Sequence, residues 1–116
     1  MASVPFQLSS RKVDTGEWQV AVHGEVDLAT APALDKELAR HRGRVVVDLR
    51  KVPFMDSSGL RVLLNHKLRL EETGGHLRLL VNTSDIMRLF ELTGLRESFQ
   101  IDKSLHPQLD ESASDS

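Results

Sequence analysis

The stretch Val45-Val46-Val47-Asp48-Leu49 constrains this chain more than any other. A near-continuous apolar run of this kind, without alternation, is what a strand buried on both faces requires. Gly43 precedes it, and Pro53, which cannot sit inside a central strand, follows it. Helical patterns flank it on either side. A strand so placed belongs to a largely parallel sheet whose members are joined by right-handed helical crossovers. With 116 residues the chain can build one such domain but not two.

Periodicity places the other elements. Phe6, Leu8 and Val13 suggest a first strand, Asp14-Thr15-Gly16-Glu17 a turn, and Trp18, Val20 and Val22 alternate, giving a hairpin with strands near 6–13 and 18–26. Thr30 as an N-cap, Pro32 in the first turn and Leu34 and Leu38 four apart predict a helix near 30–41. Lys51 to Asp56 must be a loop, and Ser57 opens a long helix over about 57–73, closed by Gly74-Gly75. Leu77, Leu79 and Val81 form a further strand, and Thr83 or Ser84 caps a helix through about Thr93, stopped by Gly94. Phe99 and Ile101 mark a weak last strand, with room for a short helix after it. The expected fold is a single compact α/β domain over residues 4–109, its mixed, mostly parallel sheet led by a hairpin and packed with three to four helices. Residues 110–116 turn acidic and serine-rich, the composition of a disordered tail.

Composition narrows the function classes. A net charge of -2 argues against a generic nucleic-acid or membrane-surface binder, whose footprint should be basic. With no cysteine, disulfide scaffolds, thiol chemistry and cysteine-ligated metal sites are excluded. No apolar run approaches the roughly 20 residues of a membrane span, and the N-terminus lacks a signal-peptide core. A cytoplasmic monomer without a cofactor is expected.

The most informative short segment is Asp56-Ser57-Ser58-Gly59-Leu60, between a loop and the long helix. The plain reading is that a serine caps the helix; the functional one is an exposed hydroxyl beside backbone donors, suited to phosphate or to nucleophilic attack. A nucleophile needs a base. The spacing is not Gly-x-Ser-x-Gly, and the five histidines are scattered: His23 on a strand, His66 on the outer side of the long helix, His41, His76 and His106 near element ends. Each reads as a surface or strand residue. No metal-binding histidine spacing and no glycine-rich nucleotide loop occurs, so an enzyme is not expected. At about 100° per residue, Leu60, Leu63, Leu64, Leu68 and Leu70 of the long helix share a broad arc, the expected core face, with Lys67 snorkelling from within it. Ser58, Arg61, Val62, Asn65, His66 and Arg69 fall opposite. That arc can be an ordinary solvated face, but a projecting valine, two arginines and the adjoining serine pair also suit a protein–protein interface.

These residues carry a resemblance. The chain resembles the STAS-domain anti-sigma factor antagonists of bacteria over nearly all its length except the acidic tail. Gly24-Glu25-Val26-Asp27 with Thr30-Ala31 looks like the family's strand end and helix start, and Val46-Val47-Asp48-Leu49 like its central strand. Phe54-Met55-Asp56-Ser57-Ser58-Gly59-Leu60 is similar to its phosphorylation loop, and Arg88-Leu89-Phe90 through Thr93-Gly94-Leu95 to its third helix and the following turn.

The resemblance implies a partner switch. Such a protein binds an anti-sigma factor that is itself a serine kinase, which frees the sigma factor. The kinase phosphorylates the first serine of the motif, here Ser57, the modified form no longer binds, and a serine phosphatase restores it. Asp27 and Asp56 match acidic positions near that serine, and Ser58 and Gly59 match the rest of the loop. Thr30 matches the helix start, and Arg61, Val62, Asn65 and Arg69 are the expected partner-facing residues. Arg61 stands where many members have glycine. The domain class also serves in anion transporters, for which this chain has no spans, and in lipid-transport complexes and stress-signalling assemblies as an accessory subunit.

Overall fold

The computed structural model describes residues 5–104. The apolar run lies in β3 (Arg44–Lys51), the middle of a five-stranded sheet. β2 (Trp18–His23) and β4 (His76–Leu80) flank it in parallel; β1 (Gln7–Lys12) pairs antiparallel with β2, and β5 (Gln100–Asp102) runs parallel to β4. Three helices, α1 (Ala31–Leu38), α2 (Ser57–Glu72) and α3 (Ser84–Leu92), make the crossovers. Parallel neighbours in chain order, joined by right-handed crossovers, put all three on one face of the sheet.

The alternate residues of each strand show the consequence. Val20, Val22, Val45, Val47, Leu77 and Leu79 enter one core with Leu34 and Leu38 of α1, Leu60, Leu63 and Leu70 of α2, and Ile86 and Phe90 of α3. Val46 points the other way and is fully buried, with no helix of the described residues over it. Polar side chains, among them Arg11, Gln19, Asp48 and Arg50, line a shallow groove around it. Asp48 is held there by a bidentate pair with Arg50, at 2.9 Å for both contacts. Burial pushes the Asp48 carboxyl up, but the Arg50 bonds outweigh it and hold the group below the usual range.

The expected elements are present with shifted ends. The strand expected to reach residue 26 stops at His23, because Gly24 turns the chain at φ +94. A side chain at Gly24 would also meet the backbone of Phe6 at 3.0 Å. α2 ends in a Schellman arrangement, the Gly75 amide donating to Leu70 O at 2.8 Å and the Gly74 amide to Glu71 O at 3.2 Å. The last strand is β5; the short helix expected after it, His106 and the acidic tail lie outside the described residues.

Two expectations fail. Leu68 is 52% exposed whereas His66 is 5% exposed, the reverse of the helical wheel. α2 packs against α1 as well as the sheet, so its buried stripe runs Gly59, Leu60, Leu63, His66, Leu70 rather than through every leucine. Lys67 is half-buried and reaches Glu71 at 3.1 Å. His41 is likewise no surface residue. It is buried against Trp18, with ring centroids 4.2 Å apart, and its Nε2 lies 3.1 Å from both Ser10 Oγ and Glu37 Oε2. This clasp ties edge strand β1 to the end of α1.

Candidate functional site

The loops leaving β2 and β3 meet at the C-terminal edge of the parallel strands, where open α/β sheets place their sites. The Val26 amide donates to Phe54 O at 3.0 Å and the Asp56 amide to Val26 O at 3.0 Å, so Val26 and Met55 form a bridge between the loops. Asp27 fixes its own turn. Its Oδ1 accepts the amides of Ala29 (3.0 Å) and Thr30 (3.1 Å), while its amide donates to Thr30 Oγ1 (2.9 Å) and that hydroxyl donates to Glu25 O (2.8 Å). Thr30 makes no side-chain cap; its hydroxyl locks the turn instead.

The start of α2 departs from the capping reading. Asp56, extended at φ -107 and ψ -171, is the N-cap, and its Oδ1 accepts the Ser58 amide at 2.8 Å. Ser57 is the first helical residue, exposed, and its hydroxyl has no partner among the described residues. Gly59 is buried rather than partner-facing. A Cβ there would lie 2.6 Å from Met55 Cγ and 2.8 Å from Val26 Cγ1, so glycine lets the helix start press onto the bridged loops.

Beside Ser57, α1 and α2 leave a groove of about 330 Å³. The expected Ser58, Arg61, Val62 and Asn65 line one wall; Leu28, Ala31, Pro32 and Asp35 line the other. Leu28 is 78% exposed. It was invisible to helix and strand periodicity because it sits in a turn; the available signal was an apolar residue with no core position to fill, held between Asp27 and Thr30. Phe54, half exposed on the loop before Ser57, lines a separate depression against α3 with Arg88, Leu89 and Leu92. Arg69 is not in the groove. Its guanidinium donates to Leu38 O and His41 O, both at 3.1 Å, capping α1, and through Nε to His66 Nδ1 at 3.0 Å. An Nδ1 that accepts leaves the proton on Nε2, which donates to Asp35 Oδ1 at 2.7 Å. Among the described residues no His, Asp and Glu cluster could hold a metal ion, and no helix is long and apolar enough to cross a membrane.

The one-sided helix layer and the serine at a loop–helix edge define an α/β domain of the STAS class, and the STAS domain family model matches residues 11–108. The anti-sigma-B factor antagonist of Listeria monocytogenes is 35% identical over 100 residues, covering 83% of this chain and 88% of that protein. A crystal structure of an anti-sigma factor antagonist from Mycobacterium paratuberculosis superposes with a TM-score of 0.76 at 29% identity, covering 96% of this chain and 93% of that one. The phosphorylated form of the Bacillus cell fate determinant SpoIIAA shares the fold, with a TM-score of 0.68 at 21% identity, covering 93% and 99%. The chain belongs to the STAS domain family, among the anti-sigma factor antagonists.

Proposed function

We propose that this protein is a cytoplasmic, non-enzymatic binding switch that docks on a serine-kinase anti-sigma factor, releases its sigma factor, and is turned off by phosphorylation of Ser57. The observation that carries the reading is the Ser57 hydroxyl, exposed and unpartnered at the start of α2, next in the chain to Ser58, which lines the groove with Leu28, Arg61, Val62 and Asn65. A kinase can reach that oxygen without unfolding anything. Phosphate there adds roughly -1.5 to -2 charge at neutral pH. Its interaction with a helix N-terminus, about 0.3–1 kcal/mol, is small beside a domain stability of about 5–15 kcal/mol. The consequence falls on docking, where a dianion would have to be desolvated against the partner. A serine phosphatase acting on phospho-Ser57 resets the switch.

The test combines the purified protein with its cognate anti-sigma factor in calorimetry, before and after ATP, with phosphopeptide mapping. Binding, loss of binding with ATP, and phosphate on Ser57 are the expected results. Phosphate mainly on Ser58 or on Ser112–Ser116, or a Ser57-phosphorylated form that binds as tightly as before, overturns the reading.

A further inference from the structure

We propose that Arg61 is the intramolecular receptor for the phosphate on Ser57, so that modification withdraws a cation from the docking groove as well as placing an anion at its edge. This rests on Ser57 being the modified residue. Ser57 is the first residue of α2 and Arg61 lies four residues on, hence one turn later on the same face. Residues so spaced have Cβ atoms about 5–6 Å apart, and the order with the anion nearer the helix N-terminus is the favourable one. The guanidinium fork matches phosphate oxygens and stays charged at any working pH.

The surroundings leave Arg61 available. It is exposed and has no hydrogen bond or ion pair among the described residues, whereas Arg69, two turns further on, is fixed by three bonds. The nearby carboxylates are engaged elsewhere through one oxygen each, Asp56 Oδ1 by the Ser58 amide and Asp35 Oδ1 by His66 Nε2, and neither pairs with Arg61. In the unmodified protein Arg61 lines the groove with Leu28 and Val62, and it is the cationic side chain of that lining. A phosphate on Ser57 gives it an anion within reach, and turning toward the helix end takes it out of the groove. The backbone donors of the helix start act on the phosphate whatever residue occupies position 61, so a comparison at that position isolates the side chain.

The experiment places phosphoserine at position 57 of the full chain by genetic encoding, which needs neither kinase nor anti-sigma factor. A 31P NMR titration then reads the second ionisation of the phosphate in the parent, in Arg61→Gln and in Arg61→Lys. The parent is expected to ionise about 0.2–0.4 units lower than Arg61→Gln, the size of a helix pair one turn apart expressed as a pKa difference. Arg61→Lys should fall between them, and the gap should close near 1 M salt, where screening is nearly complete. The same ionisation in the parent and Arg61→Gln, or a gap that high salt leaves unchanged, overturns the proposal. Phosphate mapped to another serine after the kinase reaction would instead overturn the proposed function, while this titration still reports on the Ser57–Arg61 pair.

Discussion

The Asp56 carboxylate accepts the Ser58 amide at 2.8 Å, and that bond relieves the intervening Ser57 of any part in holding the helix. In Asp56-Ser57-Ser58 the first residue caps, the second is exposed and the third half-buried. An exposed hydroxyl is thereby set beside a helix start that another residue caps, so the proposed phosphorylation would change its chemistry while leaving the cap in place.

The division of labour has a direct readout. Asp56→Ala removes the cap and should cost about 0.5–2 kcal/mol. Ser57→Ala removes an exposed, unpartnered hydroxyl and should stay within about 0.5 kcal/mol. Urea denaturation of the two variants would show a shifted midpoint for the first only; the opposite order would make Ser57 the cap.

Gly59→Ala should destabilise, against the usual gain of up to about 1 kcal/mol for replacing glycine inside a helix. The new Cβ would fall 2.6 Å from Met55 Cγ and 2.8 Å from Val26 Cγ1. Met55 can swing aside, but Val26 is fully buried and stiff at χ1. Overpacking of this kind costs about 1–3 kcal/mol. A melting temperature at or above the parent's would mean that the bridged loops yield easily.

The proposed docking groove is best probed at Leu28, because Val62 is half-buried and packs against the core. Leu28→Glu should leave the denaturant midpoint within about 0.5 kcal/mol of the parent. Its affinity for the anti-sigma factor should fall by at least about tenfold, the equivalent of 1.4 kcal/mol. Calorimetry showing unchanged affinity would place the interface away from this groove.

What the sequence disclosed, it disclosed through local signals. β3, the ends of α2 and the breaks at Gly43, Pro53 and Gly94 are written in runs and punctuation that depend on a few neighbouring residues. What stayed hidden depends on which elements touch. A wheel drawn for α2 alone has no knowledge of α1, so it put Leu68 inside and His66 outside, and it left Arg69 on a partner-facing arc when that side chain caps α1. The site was legible as a motif, Asp56 to Leu60, but its second wall, Leu28 to Asp35, comes together only when the loops after β2 and β3 are bridged by Val26 and Met55. His41 was misread for the same reason: its partners Ser10 and Glu37 lie on two elements, and Trp18 on a third.

That His41 clasp makes part of the stability pH-dependent. The Ser10 hydroxyl bond holds the Glu37 carboxyl below its ordinary value against the opposing effect of burial, and His41 and Arg40 add to the lowering. A group with a depressed folded-state pKa contributes stability above its unfolded pKa, about 4.3, and loses it as pH falls through the folded value. Glu37→Gln should therefore narrow the stability difference between about pH 6 and pH 3. Urea midpoints across that range would show a shallower acid limb in the variant; parallel limbs would mean that Glu37 gains nothing from its neighbours.

Charge at position 57 should act on docking and not on the fold, and two substitutions separate these. Ser57→Asp places one negative charge at the first position of α2, where the unpaired backbone N–H groups and the helix dipole favour it by about 0.3–1 kcal/mol. The Asp56 carboxylate next door opposes it by a similar order, so the net effect on stability is small. Ser57→Ala loses only an unpartnered hydroxyl and adds no charge. The Asp form should thus be at least as stable as the Ala form in urea, yet bind the anti-sigma factor more weakly in calorimetry. Its defect should be smaller than that of the phosphorylated protein, because a carboxylate carries about half the charge and one oxygen fewer. An Asp form whose weaker binding tracks a matching loss of stability would show that the switch works through unfolding. An Asp form that binds like the parent while the Ala form does not would make the hydroxyl the contact, and charge would have no part in it.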